Sequence, residues 1–161
     1  MKAVLIFIVF VSMAGCASFM PVPENYNGPT ATIKDSYSNK QSTTAHFFTL
    51  QKIDGNYVSN SFGATRSANY GSGAAFEPEI TVREVLPKEQ IFTITGYIFF
   101  PTDAQLLFGD NLAVRGDLQF SPEAGETYVV KGTVSEKVSE VWLEDSEGDI
   151  VGQKFSKTHT E

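Results

Sequence analysis

From Thr30 onward, apolar and polar residues alternate with a period of two, not with the 3.6-residue period of a helix. This pattern predicts short β-strands separated by turns. The dipeptide Asp54-Gly55 between two such runs is typical of a tight hairpin turn. The predicted strands cover residues 30–36, 44–53, 56–58, 80–85, 91–100, 112–120, 126–134, 138–144 and 149–155.

The run at residues 91–100 is the longest, and its two faces differ in character. Thr93, Thr95 and Tyr97 share one face, and the other carries large apolar side chains (Phe92, Ile94, Ile98 and Phe100). Such alternation indicates a sheet with one packed face and one solvated face. We therefore predict an all-β protein, an antiparallel β-sandwich of about 7–9 strands of the immunoglobulin-like or transthyretin-like kind. Residues 102–108 are the one stretch with a possible helical pattern.

Residues 59–75 interrupt this rhythm, because they are rich in glycine, serine and alanine. Small residues cannot build a core, so we predict one long Gly/Ser-rich loop or a mobile edge. Flexible segments with isolated large side chains can fold around a partner. The candidate interaction residues are Phe62, Arg66, Tyr70 and Phe76; a disordered loop of no consequence is the alternative.

The N-terminus has the features of a bacterial export signal. Lys2 is followed by an apolar run that ends in the motif Met13-Ala14-Gly15-Cys16. A membrane-spanning helix needs about 20 apolar residues, and residues 3–14 are too few. Cys16 is the only cysteine, so no intramolecular disulfide can form, and an unpaired thiol in an exported protein needs an explanation. We predict a signal peptide at residues 1–15 and lipidation of Cys16; an ordinary secretory signal and an uncleaved anchor are the alternatives.

Three parts follow: the signal peptide, a lipidated N-terminus with an extended tether at residues 16–29, and a β-sandwich domain at residues 30–161. Removing the signal peptide takes away Lys2, which leaves 11 basic and 19 acidic side chains and a net charge of −8. This balance argues against nucleic acid as a partner. The lipid supplies the predicted contact with the membrane.

Few residues suggest site chemistry. Acidic residues at alternate positions, Asp145, Glu147 and Asp149, form a weak calcium candidate, but the spacing differs from that of an EF-hand and a solvated turn is the simpler interpretation. His46 is predicted to be an ordinary strand residue, and no nucleophile elbow is present. We therefore expect no cofactor and no catalytic residues.

Several short segments together resemble a family of small, uncharacterised proteobacterial lipoproteins. They are residues 28–36 (GPTATIKDS), 47–55 (FFTLQKIDG), 128–132 (YVVKG) and 141–145 (VWLED). The resemblance implies a lipid-anchored β domain in the cell envelope and no assigned activity. By similarity to enterobacterial sorting signals, Ala17 after the cysteine favours the outer membrane, with the domain facing the periplasm or the cell surface.

The expected function is that of a lipid-anchored, non-enzymatic binding or structural module with an envelope protein or glycan as partner. One alternative is an inhibitor of an exported cell-wall hydrolase of the lysozyme type, because an acidic domain suits a basic enzyme. An undetected hydrolase is a further alternative, and it would need carboxylates clustered in a pocket.

Overall fold

Ten strands and one complete helix lie in the part of the chain that the computed structural model describes, namely residues 19–103, 105 and 112–160. The nine predicted strands are present, and one short extra strand, at residues 36–38, brings their number to ten, above the expected 7–9. The strands are β1 (Ala31–Lys34), β2 (Ser36–Ser38), β3 (Ala45–Ile53), β4 (Asn56–Tyr57), β5 (Val82–Val85), β6 (Gln90–Phe99), β7 (Val114–Phe120), β8 (Thr127–Thr133), β9 (Val138–Glu144) and β10 (Ile150–Thr158), and the helix is α1 (Ser61–Ala68).

The strands form two sheets, and this confirms the predicted all-β sandwich. Sheet A has the order β10-β9-β8-β1-β5, and sheet B has the order β2-β3-β6-β7 with β4 paired to β3. The alternating apolar side chains meet between the sheets, where burial of apolar surface is the main stabilising contribution. The largest members of this core with no more than 1% exposure are Ile33, Phe48, Leu50, Ile53, Val85, Phe92, Ile94, Val130, Val141 and Leu143.

The sequence predicted antiparallel pairing throughout, but one pair of strands is parallel. Strand β1 is antiparallel to β5 but parallel to β8, with Ile33 opposite Tyr128. The entry of β1 is fixed by two backbone hydrogen bonds, from Thr32 N to Glu126 O and from Gly125 N to Thr30 O. Alternation within one strand carries no information on the direction of its neighbour, so the parallel pair could not be predicted.

The prediction of a solvated face on residues 91–100 is wrong. Thr93 and Thr95 are only 3% and 8% exposed, although they point away from the main core. A second apolar cluster covers this outer face of sheet B around the last residues of β6. It contains Ala45, Phe47, Phe76 and Phe99, with Phe62, Ile80 and Tyr97 packed against it. Helix α1 and the segment after it therefore form a partial third layer.

The N-terminal segment enters the sandwich at one end, which we call the tether end. Thr30 lies there beside Gly125, and β9 finishes there because Val129 near the start of β8 pairs with Glu144. The ring of Phe120 lies 5.1 Å from that of Tyr128, which places the last residue of β7 at the same end.

Strand β6 begins at the tether end, because Gln90 pairs with Phe120. The last residue of β6, Phe99, therefore lies at the opposite end, which we call the far end. A hydrogen bond from Ser139 Oγ to Leu112 O joins the two sheets there.

Candidate functional site

The segment of residues 59–75 is not one long loop, because eight of its residues form α1. Asn60 is the N-cap, and its Oδ1 accepts a hydrogen bond from Gly63 N at 3.2 Å. At the other end, Asn69 donates to Thr65 O through its side chain and its backbone N–H. The amino end is held on sheet B by Asp35, whose Oδ2 accepts from Ser61 N and Ser61 Oγ. Two asparagines and a distant aspartate thus define a helix that hydrophobic periodicity did not show.

The four predicted interaction residues separate into two pairs. Phe62 and Phe76 pack in the outer apolar cluster, with ring centroids 5.4 and 4.8 Å from that of Phe99. Phe76 is only 4% exposed, so it is a core residue and not a contact residue. Tyr70 is 93% exposed, and Arg66 pairs with Asp103 at the surface. Of the four, Arg66 and Tyr70 are therefore the ones that lie at the exposed surface, and Phe62 is half-buried.

Arg66 and Tyr70 line a cavity of about 450 Å³ at the far end of the sandwich. We call it the far-end cavity. It lies between the end of α1 and the residues that follow β6. Among the described residues, its lining contains Arg66, Asn69, Tyr70, Gly71, Gly73, Pro101, Thr102 and Asp103.

The far-end cavity combines a fixed base with an exposed rim. The Asn69 side chain donates to Glu77 O and accepts from Glu77 N, which closes the loop after α1. The Tyr70 ring then projects into solvent next to Gly71. Tyrosine, arginine, asparagine, serine and glycine are the residues that antibody binding loops use, because a rigid ring supplies contact area and small polar residues adapt. This arrangement suits recognition of a partner surface.

A second cavity, of about 260 Å³, lies at the tether end and has an acidic lining. Glu123, Glu126, Asp145 and Glu147 contribute to its wall. The fold brings Glu123 and Glu126 to the acidic turn, and Glu126 accepts a hydrogen bond from Ser146 Oγ. Residues 123–149 carry eight acidic and two basic side chains, so the acidic character of this end is visible in the sequence.

The weak calcium candidate does not form a ligand set. Asp145 Oδ1 accepts hydrogen bonds from Glu147 N at 3.0 Å and Asp149 N at 2.9 Å, so this carboxylate closes the turn. Within residues 19–103, 105 and 112–160, no three histidine, cysteine or carboxylate side chains are grouped as a metal ion would need.

Ser139 and His159 are distant in sequence but lie in contact, with Ser139 Oγ 2.9 Å from His159 Nε2. The serine hydroxyl donates its one proton to Leu112 O at 2.7 Å, so His159 Nε2 is the donor in this pair. Ser139 is also fully buried. A nucleophilic serine would need an accessible oxygen and an unprotonated imidazole nitrogen as its base, and this pair has neither. The hydrogen bond instead connects β9 with the segment after β10.

The other histidine, His46, is half-buried in β3, and its Nε2 lies 3.2 Å from Asn39 Nδ2. Burial lowers the pKa of His46 below its ordinary value. The expectation of an ordinary strand residue agrees with this position.

Cys16 lies outside the described residues, so its lipidation stays a prediction. The described part of the predicted tether is not fully extended. Tyr26 N donates to Pro23 O, and Tyr26 Oη donates to Pro29 O, which folds residues 23–29 into a turn. No helix in the described part of the chain is long and apolar enough to cross a membrane.

Comparisons with known proteins give no further guidance. No family model, no curated protein and no solved structure matches this chain. The resemblance to small proteobacterial lipoproteins therefore depends on the short segments quoted above.

Proposed function

We propose that this chain is a lipid-anchored protein of the bacterial cell envelope and that its β-sandwich is a non-enzymatic binding module. The signal peptide and the single cysteine support the anchor. A net charge of −8 after signal removal gives the domain no attraction to anionic lipid, so the lipid on Cys16 would supply the membrane affinity. The sorting residue Ala17 supports the outer membrane.

The main support for this proposal is that the tether and the far-end cavity lie at opposite ends of the sandwich. The segment that leads to Cys16 enters at Thr30, beside Gly125. The far-end cavity, with Arg66 and Tyr70, lies at the other end of the sandwich. A domain held by its N-terminus would therefore present Tyr70 away from the bilayer, where an envelope protein or glycan can reach it.

In-cell photocrosslinking tests this placement. A photoreactive phenylalanine replaces Tyr70 in one strain and Tyr57 in another. Tyr57 is a matched control because it is 66% exposed and follows the hairpin turn after Ile53 in β3, at the tether end. We expect position 70 to trap a defined partner that position 57 does not trap. Identical adducts at both positions, or none at position 70, would contradict the proposal.

A second function, inhibition of an exported lysozyme-type hydrolase, has one observation in its favour. Four carboxylates and no basic side chain are present in the described lining of the acidic cavity. Such a surface would attract a basic enzyme. Lysozyme activity assayed with the purified protein at micromolar concentration decides between the two functions. Inhibition that is lost in the double variant Glu123→Gln/Glu126→Gln supports this alternative, and full enzyme activity removes it.

A further inference from the structure

A third cavity, of about 230 Å³, lies beside the start of α1 on the outer face of sheet B. We call it the helix-start cleft. Its described lining consists of four half-buried residues, none of them charged: Gln51, Asn60, Phe62 and Tyr97. In the part of the chain that the structure describes, the cleft shares no lining residue with the far-end cavity or the acidic cavity.

The cleft has hydrogen-bonding groups that the described part of the protein leaves unused. Asn60 Oδ1 caps α1, but no described acceptor binds its Nδ2. Among the described residues, the Gln51 carboxamide has no side-chain hydrogen bond. Tyr97 Oη has almost no accessible surface, and it faces the Thr49 hydroxyl without a well-aligned hydrogen bond. Polar atoms in such positions are paired in most proteins, so the unpaired phenol needs an explanation.

Two threonines on the strands beside Tyr97 are also polar and without a well-aligned hydrogen bond. Thr49 and Thr95 lie opposite each other on β3 and β6, are 1% and 8% exposed, and their hydroxyl groups have no partner in the described structure. Burial raises the pKa of the Tyr97 hydroxyl well above its ordinary value, and the nearby Thr49 hydroxyl opposes this only in part, so the phenol is a proton donor at neutral pH. Thr93 on the same face differs, because its hydroxyl donates to Asp117 Oδ1. Among the described threonines of β3 and β6, the unpaired hydroxyl groups are therefore those nearest Tyr97.

We infer that the helix-start cleft binds one neutral polyhydroxyl ring, that is, a single sugar unit. The carboxamides of Gln51 and Asn60 can donate to and accept from hydroxyl groups, and the absence of charge in the described lining disfavours an ionic ligand. The ring of Phe62 lies edge-on to Tyr97, with centroids 5.6 Å apart. Because Tyr97 Oη has almost no accessible surface, the proposed binding includes a movement of the neighbouring Phe62 ring that exposes it. The aromatic rings then face the apolar side of the sugar. Binding here requires neither the lipid anchor nor the far-end cavity.

NMR titration of the side-chain amide signals tests this inference on the mature protein, purified in a detergent without a sugar headgroup. The probes are N-acetylglucosamine, glucose and glycerol, each up to about 50 mM, because a ligand of this size binds at millimolar concentration. We expect one or both sugars to shift the Gln51 and Asn60 signals in a saturable way. No shift with either sugar, or equal shifts with glycerol, would overturn the inference.

Variants show whether the cleft itself binds the sugar. Tyr97→Phe removes an unpaired hydroxyl, so the fold should be retained while the dissociation constant rises at least about fivefold. Gln51→Leu should have a similar effect. The matched controls are Tyr57→Phe and Gln119→Leu, which alter exposed residues outside the cleft. An unchanged dissociation constant in both cleft variants would also contradict the inference.

Discussion

Asp35 and Arg83 form a two-pronged ion pair beneath the start of α1, and both carboxylate oxygens lie 2.9 Å from a guanidinium nitrogen. The Asp35 side chain is fully buried and that of Arg83 is 8% exposed. Asp35 also accepts hydrogen bonds from Leu50 N, Ser61 N and Ser61 Oγ. One carboxylate therefore joins the β1–β2 junction, β3, β5 and α1, and it fixes the wall of the helix-start cleft.

We expect Asp35→Asn to destabilise the fold by about 3–5 kcal/mol, because it leaves the Arg83 guanidinium buried without a counter-charge. Urea denaturation followed by tryptophan fluorescence measures the loss. The double variant Asp35→Asn/Arg83→Met should recover part of it. The surface pair of Arg66 and Asp103 is the control, since Asp103→Ala should cost less than about 1 kcal/mol. Equal losses of stability in Asp35→Asn and Asp103→Ala would show that the buried ion pair contributes no more to stability than the surface pair.

In the predicted interaction segment, truncation of the half-buried Phe62 and of the exposed Tyr70 should have different effects on stability. Phe62→Ala removes a half-buried ring from the outer cluster and should cost about 1–3 kcal/mol. Tyr70→Ala alters a side chain that is 93% exposed and should change stability by less than about 0.5 kcal/mol. Thermal unfolding of both variants checks this. A neutral Phe62→Ala would mean that α1 does not pack on sheet B.

Two glycines should have opposite responses to alanine. A methyl group on Gly116 would overlap the ring of Phe155, where β10 lies against β7, so Gly116→Ala should destabilise the sandwich by about 1–3 kcal/mol. Gly63 lies in α1 with only Asn60 Oδ1 near the added carbon, at 4.0 Å, so Gly63→Ala should stabilise by about 0.5–1 kcal/mol. Denaturant midpoints of the two variants should therefore move in opposite directions. A shift of both in the same direction would contradict the described packing.

The lowered pKa of His46 predicts a pH dependence of stability. In the unfolded chain His46 titrates near 6.5, and in the folded protein burial lowers its pKa. As the pH falls through 6.5 the unfolded chain gains a proton that the folded protein disfavours, so stability is complete above that pH and decreases below it. The melting temperature should fall between about pH 7.5 and pH 5.5, and less in His46→Gln. An identical fall in that variant would assign the effect to other groups.

The strands could be predicted from the sequence because their information is local. The alternation around Leu118, between Arg115 and Phe120, matches the buried and exposed positions of β7, and Asp54-Gly55 forms the predicted hairpin between β3 and β4. Helix α1 was missed because Phe62 is its only large apolar residue and small residues occupy most other positions. The cap at Asn60 was the available signal. The hydrogen bond from Ser61 N to Asp35 joins residues 26 positions apart, and no local pattern encodes such a contact.

The residues of the candidate sites were likewise predictable only where the sequence signal is local. Arg66 and Tyr70 were selected because they stand among small residues, and they do line one cavity. Phe62 and Phe76 were selected by the same criterion, but both pack against Phe99 in β6, which buries Phe76 and half-buries Phe62. The helix-start cleft could not be predicted, because Gln51 and Tyr97 meet only when β3 and β6 pair and α1 lies across them.

The central claim is that Cys16 carries a lipid that holds this β-sandwich at a membrane. Intact-mass and peptide spectrometry of the protein from the membrane fraction of the native host tests it directly. We predict a mature chain that begins at Cys16 and has the added mass of a diacylglyceryl group, usually with a further acyl chain. A free thiol on Cys16, or a mature chain recovered as a soluble exported protein, would contradict the account.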